Sequence, residues 1–260
     1  MRTKEAAAGL LRYRFLLANL ILKDLRLKYR RSVLGVLWSV LNPLLMMLVM
    51  TAVFSRIFRV AVENYPVFYL TGSTLFAFLG EATTGAMGSV TGSASLLRKV
   101  RVPKSVFPLE KVLFASVNYL FSLVAVVVMF VVLGQPFHWT FALFWLPALF
   151  TGAFALGVGL ALASLSVFFR DIVHLYSVLL VAWQFATPVL YPYEALPESI
   201  QALMIWNPMY HYVQVARMVL MHGIVPSAKE LAVCAGMALA ALAVGAAVFR
   251  AKRDRFVLYV

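Results

Sequence analysis

One cysteine, Cys234, in a chain of 260 residues rules out an internal disulfide framework and a Cys-based metal site. Acidic residues are scarce as well, ten Asp and Glu against 23 Lys and Arg, and they form no cluster. An enzyme that grips a metal–diphosphate at a membrane face, such as a prenyl- or glycosyl-phosphate transferase, needs grouped Asp or His and finds none here. The four histidines, His138, His174, His211 and His222, are scattered, and none has a metal-ligand partner at i+4. No G-x-S-x-G elbow, H-E-x-x-H helix or phosphate-binding glycine loop occurs. The chain is therefore expected to carry no catalytic residue and no metal, and nucleotide chemistry would need a second chain. A repeated ring of polar residues, which a channel would show, is missing too.

What fills the sequence is apolar. Hydrophobic residues make up 63% and charged residues 13%, against about 25% charged in an ordinary soluble domain. The net charge of +13 does not point to nucleic acid, because the aromatics lie within apolar runs rather than between cations. It is instead what positive-inside topology produces. The stretch Lys23–Met50 shows the pattern most clearly: a cationic run ends at Arg31 and an apolar run starts at Val33. A bilayer-crossing helix needs about 20 such residues. No cleavable signal peptide is expected, since Arg12, Arg14, Lys23 and Asp24 interrupt the first apolar residues.

Six long apolar segments follow, at about 33–56, 67–90, 112–133, 141–168, 172–191 and 230–249. The segment through Arg31 holds nine cations. The loop after span two holds Arg98, Lys99, Arg101, Lys104 and Lys111, and the tail holds Arg250, Lys252, Arg253 and Arg255. With Arg170 these place 19 of the 23 cations on one side, which predicts six spans with both termini cytoplasmic. Between spans five and six, two helical patches, Glu198–Trp206 and Met209–His222, flank Asn207-Pro208 and are too short to cross. A re-entrant pair over 192–227 on the outer side keeps the parity even, and such backbone must line protein or water.

Before span one, a surface helix over 10–31 is expected, with Leu11, Phe15, Ala18, Leu22, Leu25 and Tyr29 as its apolar stripe. The loop Ser93–Val112 mixes cations with Leu96, Leu97, Val100, Val102, Val106 and Phe107, more apolar residues than solubility alone requires. A short amphipathic helix at about 94–108, docked on another protein or on lipid, accounts for it. Small residues in span four, Ala153, Gly157 and Ala161 beside Gly152, Ala155, Gly159 and Ala163, permit close helix packing. Glu81 is the only carboxylate well inside a span and is either a transport residue or the sign of a helix broken near Gly80. Candidates for a substrate path are Trp38, Tyr69, Phe76, Phe78, Glu81, Trp183, Phe185, Tyr191 and Tyr193. Interfacial belts use the same residue types, but sugar rings also present C–H faces that stack on aromatics.

Five stretches together resemble the membrane subunits of type-2 ABC exporters, most closely the O-antigen and related polysaccharide permeases. They are KYRRSVLGVLWSVLNPLL, LLRKVRVPKSVFPLEKV, SVFFRDI, TPVLYP and WNPMYHYV, in that family's order and over nearly the whole chain. The resemblance implies an all-α integral membrane protein, one transmembrane domain over 1–260. It implies a homodimer of six-span subunits in a bacterial inner membrane, joined to two ATPase subunits that carry ATP and Mg. The surface helix becomes an interface helix. The loop at 94–108 becomes a coupling helix in which Leu96, Leu97, Arg98, Lys99, Arg101, Pro103, Lys104 and Phe107 meet the ATPase. The cargo implied is a lipid-linked glycan of O-antigen, capsule or teichoic-acid type, with a small-lipid or drug permease as the rival reading.

Overall fold

The structure is a computed structural model; it describes residues 13–30, 32–57, 62–94 and 102–258, and every regular element among them is helical. Helix α1 spans Arg14–Tyr29. A 3-10 turn at Gly35–Leu37, opened by Gly35 at φ +50°, leads into α2, Trp38–Thr51, which continues as a π turn over Ala52–Ile57. Helix α3 spans Tyr65–Gly92, α4 Val106–Val132 and α5 Trp145–Phe168. Then come α6, Ile172–Ala186, the short α7, Glu198–Met204, α8, Pro208–Leu220, and α9, Ala228–Lys252.

Local chemistry sets the boundaries. Helix α3 begins after Asn64, the one non-glycine residue with positive φ among those described (+54°), and Pro66 stands in its first turn, where no amide donor is lost. Helix α6 stops at Ala186 rather than near 191, because Thr187 precedes Pro188 and is forced extended at φ −98° and ψ 137°. Asn207 caps α8 by accepting from the Met209 amide at 3.1 Å. Ser227 and Glu230 close a capping box at the start of α9, each side chain serving the other's backbone.

Helix α3 is the axis of the molecule. Of its 28 residues 18 are buried, against one of 15 in α6. It packs chiefly against α4 and α5, and α2 and α8 complete its surround. Helix α9 lies against α5. Among the described residues, four helical segments are long and apolar enough to cross a bilayer: Gly35–Phe54, Val106–Val132, Trp139–Phe168 and Ala228–Lys252. Helix α3 has the length, about 42 Å at 1.5 Å per residue, but its buried Thr71, Thr74, Thr83 and Ser89 make it more polar. Those hydroxyls bond to carbonyls of their own helix, as Thr83 does to Leu79 at 2.7 Å, so α3 is self-satisfied within its ring of neighbours. It runs unbroken through Gly80, so the alternative of a helix broken there does not hold.

Apolar burial drives little between helices in lipid; close packing has to hold them. Helix α5 achieves it on two sides. A Cβ on Gly157 would run into the Ala241 and Leu242 backbone of α9, and one on Gly245 into the Gly157 backbone. Gly159 faces α3, where a Cβ would stand 2.6 Å from that of Ala86.

Helix α1 is rotated so that its expected stripe divides between two sides. Phe15, Ala18 and Leu22 face outward, while Leu17 is buried and Leu20, Ile21, Asp24, Leu25 and Tyr29 are half-buried. Polar bonds set that rotation: Asp24 pairs with Lys111 of α4, and Tyr29 bonds to Ser39 and Asn118. Leu11 lies outside the described residues.

Candidate functional site

A cavity of about 500 Å³ opens between α1, α2, α3, α4 and α6. Its walls come from helix faces. On α3 it takes Tyr69, Ser73, Thr74, Ala77, Phe78 and Glu81, the i, i+4, i+8 and i+12 positions with their neighbours. On α2 the same spacing supplies Trp38, Ser39, Asn42, Pro43 and Met46, and α4 gives Asn118, Tyr119 and Ser122. Lys28 and Tyr29 come from α1 and Gln184 from α6. From Tyr69 to Glu81 the α3 wall runs about 18 Å, over half the thickness of a bilayer's hydrocarbon core.

Glu81 anchors the polar end. Its Oε1 accepts from Lys28 Nζ at 2.8 Å and from Asn118 Nδ2 at 2.9 Å. The Tyr29 hydroxyl donates to Asn118 Oδ1 at 3.2 Å and lies 2.5 Å from Ser39 Oγ. Since Tyr29 has one proton, Ser39 is the donor of the shorter bond. The chain Ser39 to Tyr29 to Asn118 to Glu81 thereby joins α2, α1, α4 and α3. One turn earlier in α1, Asp24 meets Lys111, which also stands 3.3 Å from Glu110. Polar contacts from α1 thus reach two places on the bundle.

Of the path candidates, Trp38, Tyr69, Phe78 and Glu81 come together in this cavity. Phe76 and Trp183 do not: they meet edge to face at 6.1 Å in the packed interior, and Trp183 Nε1 donates to Asn207. Phe185 faces outward and Tyr191 donates to its carbonyl at 2.5 Å. Tyr193 stacks on Tyr210 at 5.1 Å between ring centroids. Sequence reasoning missed Asn42, Ser73, Asn118, Tyr119, Ser122 and Gln184. The signal was available: Asn118 and Ser122 are polar residues one turn apart inside an apolar span, a spacing that marks a helix face.

Leu96, Leu97, Arg98, Lys99 and Arg101 lie outside the described residues. Pro103 is exposed just before α4. Lys104 donates to the Arg253 carbonyl at 2.6 Å and stands over the Phe256 ring at 5.6 Å, tying this loop to the turn after α9. Phe107 is corrected outright: it sits in the first turn of α4, 2% exposed, and packs inside this chain rather than on a docking face. The reason is helical phase, since Val106, Phe107 and Glu110 all turn toward the bundle.

Apolar helices that turn outward and, among the described residues, are in four cases long enough to cross a bilayer define an integral membrane protein. The ABC-2 type transporter family model matches residues 16–221, so the chain belongs to that family. An O-antigen export system permease protein, RfbA, from Myxococcus xanthus is 33% identical over 249 residues, 95% of this chain and 96% of its own length. A Klebsiella pneumoniae RfbA of the same description is 30% identical over 77% of this chain and 78% of its own. The polysialic acid transport protein KpsM of Escherichia coli is 22% identical over 90% of this chain and 92% of its own.

Proposed function

We propose that this chain is the permease subunit of an ATP-driven exporter that moves a lipid-linked polysaccharide across the bacterial inner membrane. O-antigen-like glycan is the first choice of cargo. The observation that carries this is the 33% identity to an O-antigen export permease across 95% of the chain. The cavity fits the reading, because it pairs aromatic walls with amide and hydroxyl groups on one side of α3.

A homodimer is the working unit. Helix α6 supports this: Leu175, Val178, Leu179, Val181 and Phe185 face outward with Tyr176 its one buried residue. Two partner ATPase subunits supply ATP and Mg. The α7–α8 pair is the re-entrant hairpin on the outer side, with both termini in the cytoplasm. The α3–α4 loop and α1 are where the ATPase acts, and the Lys28–Glu81 contact joins α1 to the cavity wall.

Deleting the gene in its host and scoring surface glycan by antibody tests the reading. Export should vanish and return with the chain plus its ATPase. Unchanged surface glycan in the deletion strain, with no second permease present, sinks it.

A further inference from the structure

Resting on the permease reading, we propose that Phe256 is a positioning residue for the ATPase: the turn after α9 holds the end of the α3–α4 loop where that subunit docks. The turn, Arg253–Leu258, is a 3-10 segment, a conformation whose own hydrogen bonds are poor. Packing holds it instead. Phe256 is 1% exposed. Its ring meets Phe249 of α9 edge to face at 5.4 Å and lies tilted against Phe168, at the end of α5, at 6.1 Å. Val90, in the last turn of α3, belongs to the same packed cluster, with Leu160, Ala163 and Val167 of α5. This cluster is distinct from the main core around α3 and sits where the C-terminal ends of α3, α5 and α9 come together.

The loop leaves α3 just after Val90 and returns through Lys104, which is bound to the same turn. Lys104 Nζ donates to the Arg253 carbonyl at 2.6 Å and stands 5.6 Å over the Phe256 ring. Arg253 is the C-cap of α9. Carbonyls at that end of a helix lack partners within it and carry the negative pole of its dipole, so a cation donor is favoured twice over. Ring and carbonyl together fix the chain two residues before α4 begins at Val106. A ring that met lipid or another protein directly would face outward. Phe256 is enclosed by its own chain, so it acts on a docked subunit through Lys104 and the loop. Freed from this hold, the loop occupies its docking position for a smaller fraction of the time. The apparent affinity for the ATPase then falls by that fraction, while the rate once docked does not change.

The full chain in lipid nanodiscs, titrated with the ATPase that restores export alongside it, tests the proposal through chain-dependent ATP hydrolysis. Phe256→Ala should raise the half-saturating ATPase concentration about three- to tenfold and leave the saturated rate unchanged. Phe256→Leu, which keeps the interior filled but loses the ring face, should raise it about threefold and serves if Phe256→Ala does not insert. Lys104→Met should match Phe256→Ala, and the double variant should do no worse, because both changes release one hold. Lys104→Arg keeps the cation and the donor and should stay within about twofold of the unsubstituted chain. A merely structural role removes active molecules, which lowers the saturated rate and leaves half-saturation where it was. That result, no change with the Phe256 variants, or additive losses in the double variant overturns the proposal and leaves the permease reading standing. No chain-dependent hydrolysis by the unsubstituted chain removes both.

Discussion

Asn207 shows how much one side chain decides here. Its Oδ1 accepts from Trp183 Nε1 at 2.9 Å and from the Met209 amide at 3.1 Å, and its Nδ2 donates to Thr187 Oγ1 at 3.0 Å. Those three bonds tie the end of α6 to the start of α8 while capping α8. Asn207→Ala removes the cap and strands a half-buried indole N–H, so it should cost about 1–3 kcal/mol. Thermal unfolding of the purified chain in detergent would show it; an unchanged midpoint would mean the hub is incidental. Lys111 is the second test. Lys111→Met leaves Asp24 and the buried Glu110 facing each other without a cation. Helix α1 should then loosen, read as faster protease cleavage near residue 30 with the bundle still intact. Unchanged cleavage would show that apolar contacts alone hold α1.

Element packing depends on absent side chains. Helix α5 meets α9 where Gly157 and Gly245 bring backbone against backbone, and meets α3 at Gly159. Gly157→Leu has nowhere to go, since the obstructing atoms are main chain, and should cost more than about 2 kcal/mol or block folding. Gly88 in α3 is the matched control, because a Cβ there meets nothing within 4 Å; Gly88→Ala should be neutral or slightly stabilising. Equal melting of the two variants would refute the close crossing. Helix α6 presents the opposite situation, an apolar element with almost nothing of its own chain upon it.

For the whole molecule the decisive question is sidedness. Cys234 is fully buried, so the native chain gives little labelling background. Cysteines placed at Gln135 and Glu198 should react with an impermeant reagent from outside, and cysteines at Lys104 and Arg253 should not. Strong outside labelling at Arg253 would overturn the six-span topology. The purified chain alone should not hydrolyse ATP, and hydrolysis should appear with the partner ATPase. Activity that follows the isolated chain through successive columns would sink the permease assignment.

The membrane class, the approximate positions of the helices, the break at Asn207-Pro208 and the small-residue face of α5 were all legible from sequence. Each follows from local rules: run length, loop charge, a proline that interrupts a helical run, and the absence of a Cβ at one-turn spacing. Trp38, Tyr69, Phe78 and Glu81 could be suspected one by one, but their meeting in one cavity could not, nor could the separation of Phe76, Trp183 and Tyr193 from them. An aromatic in an apolar span looks the same whether it faces a neighbour, lipid or a cavity. Helix rotation makes that choice, and long-range bonds set the rotation: Asp24 to Lys111 turns α1, and Tyr29 to Asn118 and Glu81 aligns α1, α4 and α3. Those partners lie 37 to 89 residues apart. Sequence periodicity reports which residues share a helix face, and only the packing of distant helices decides what that face meets.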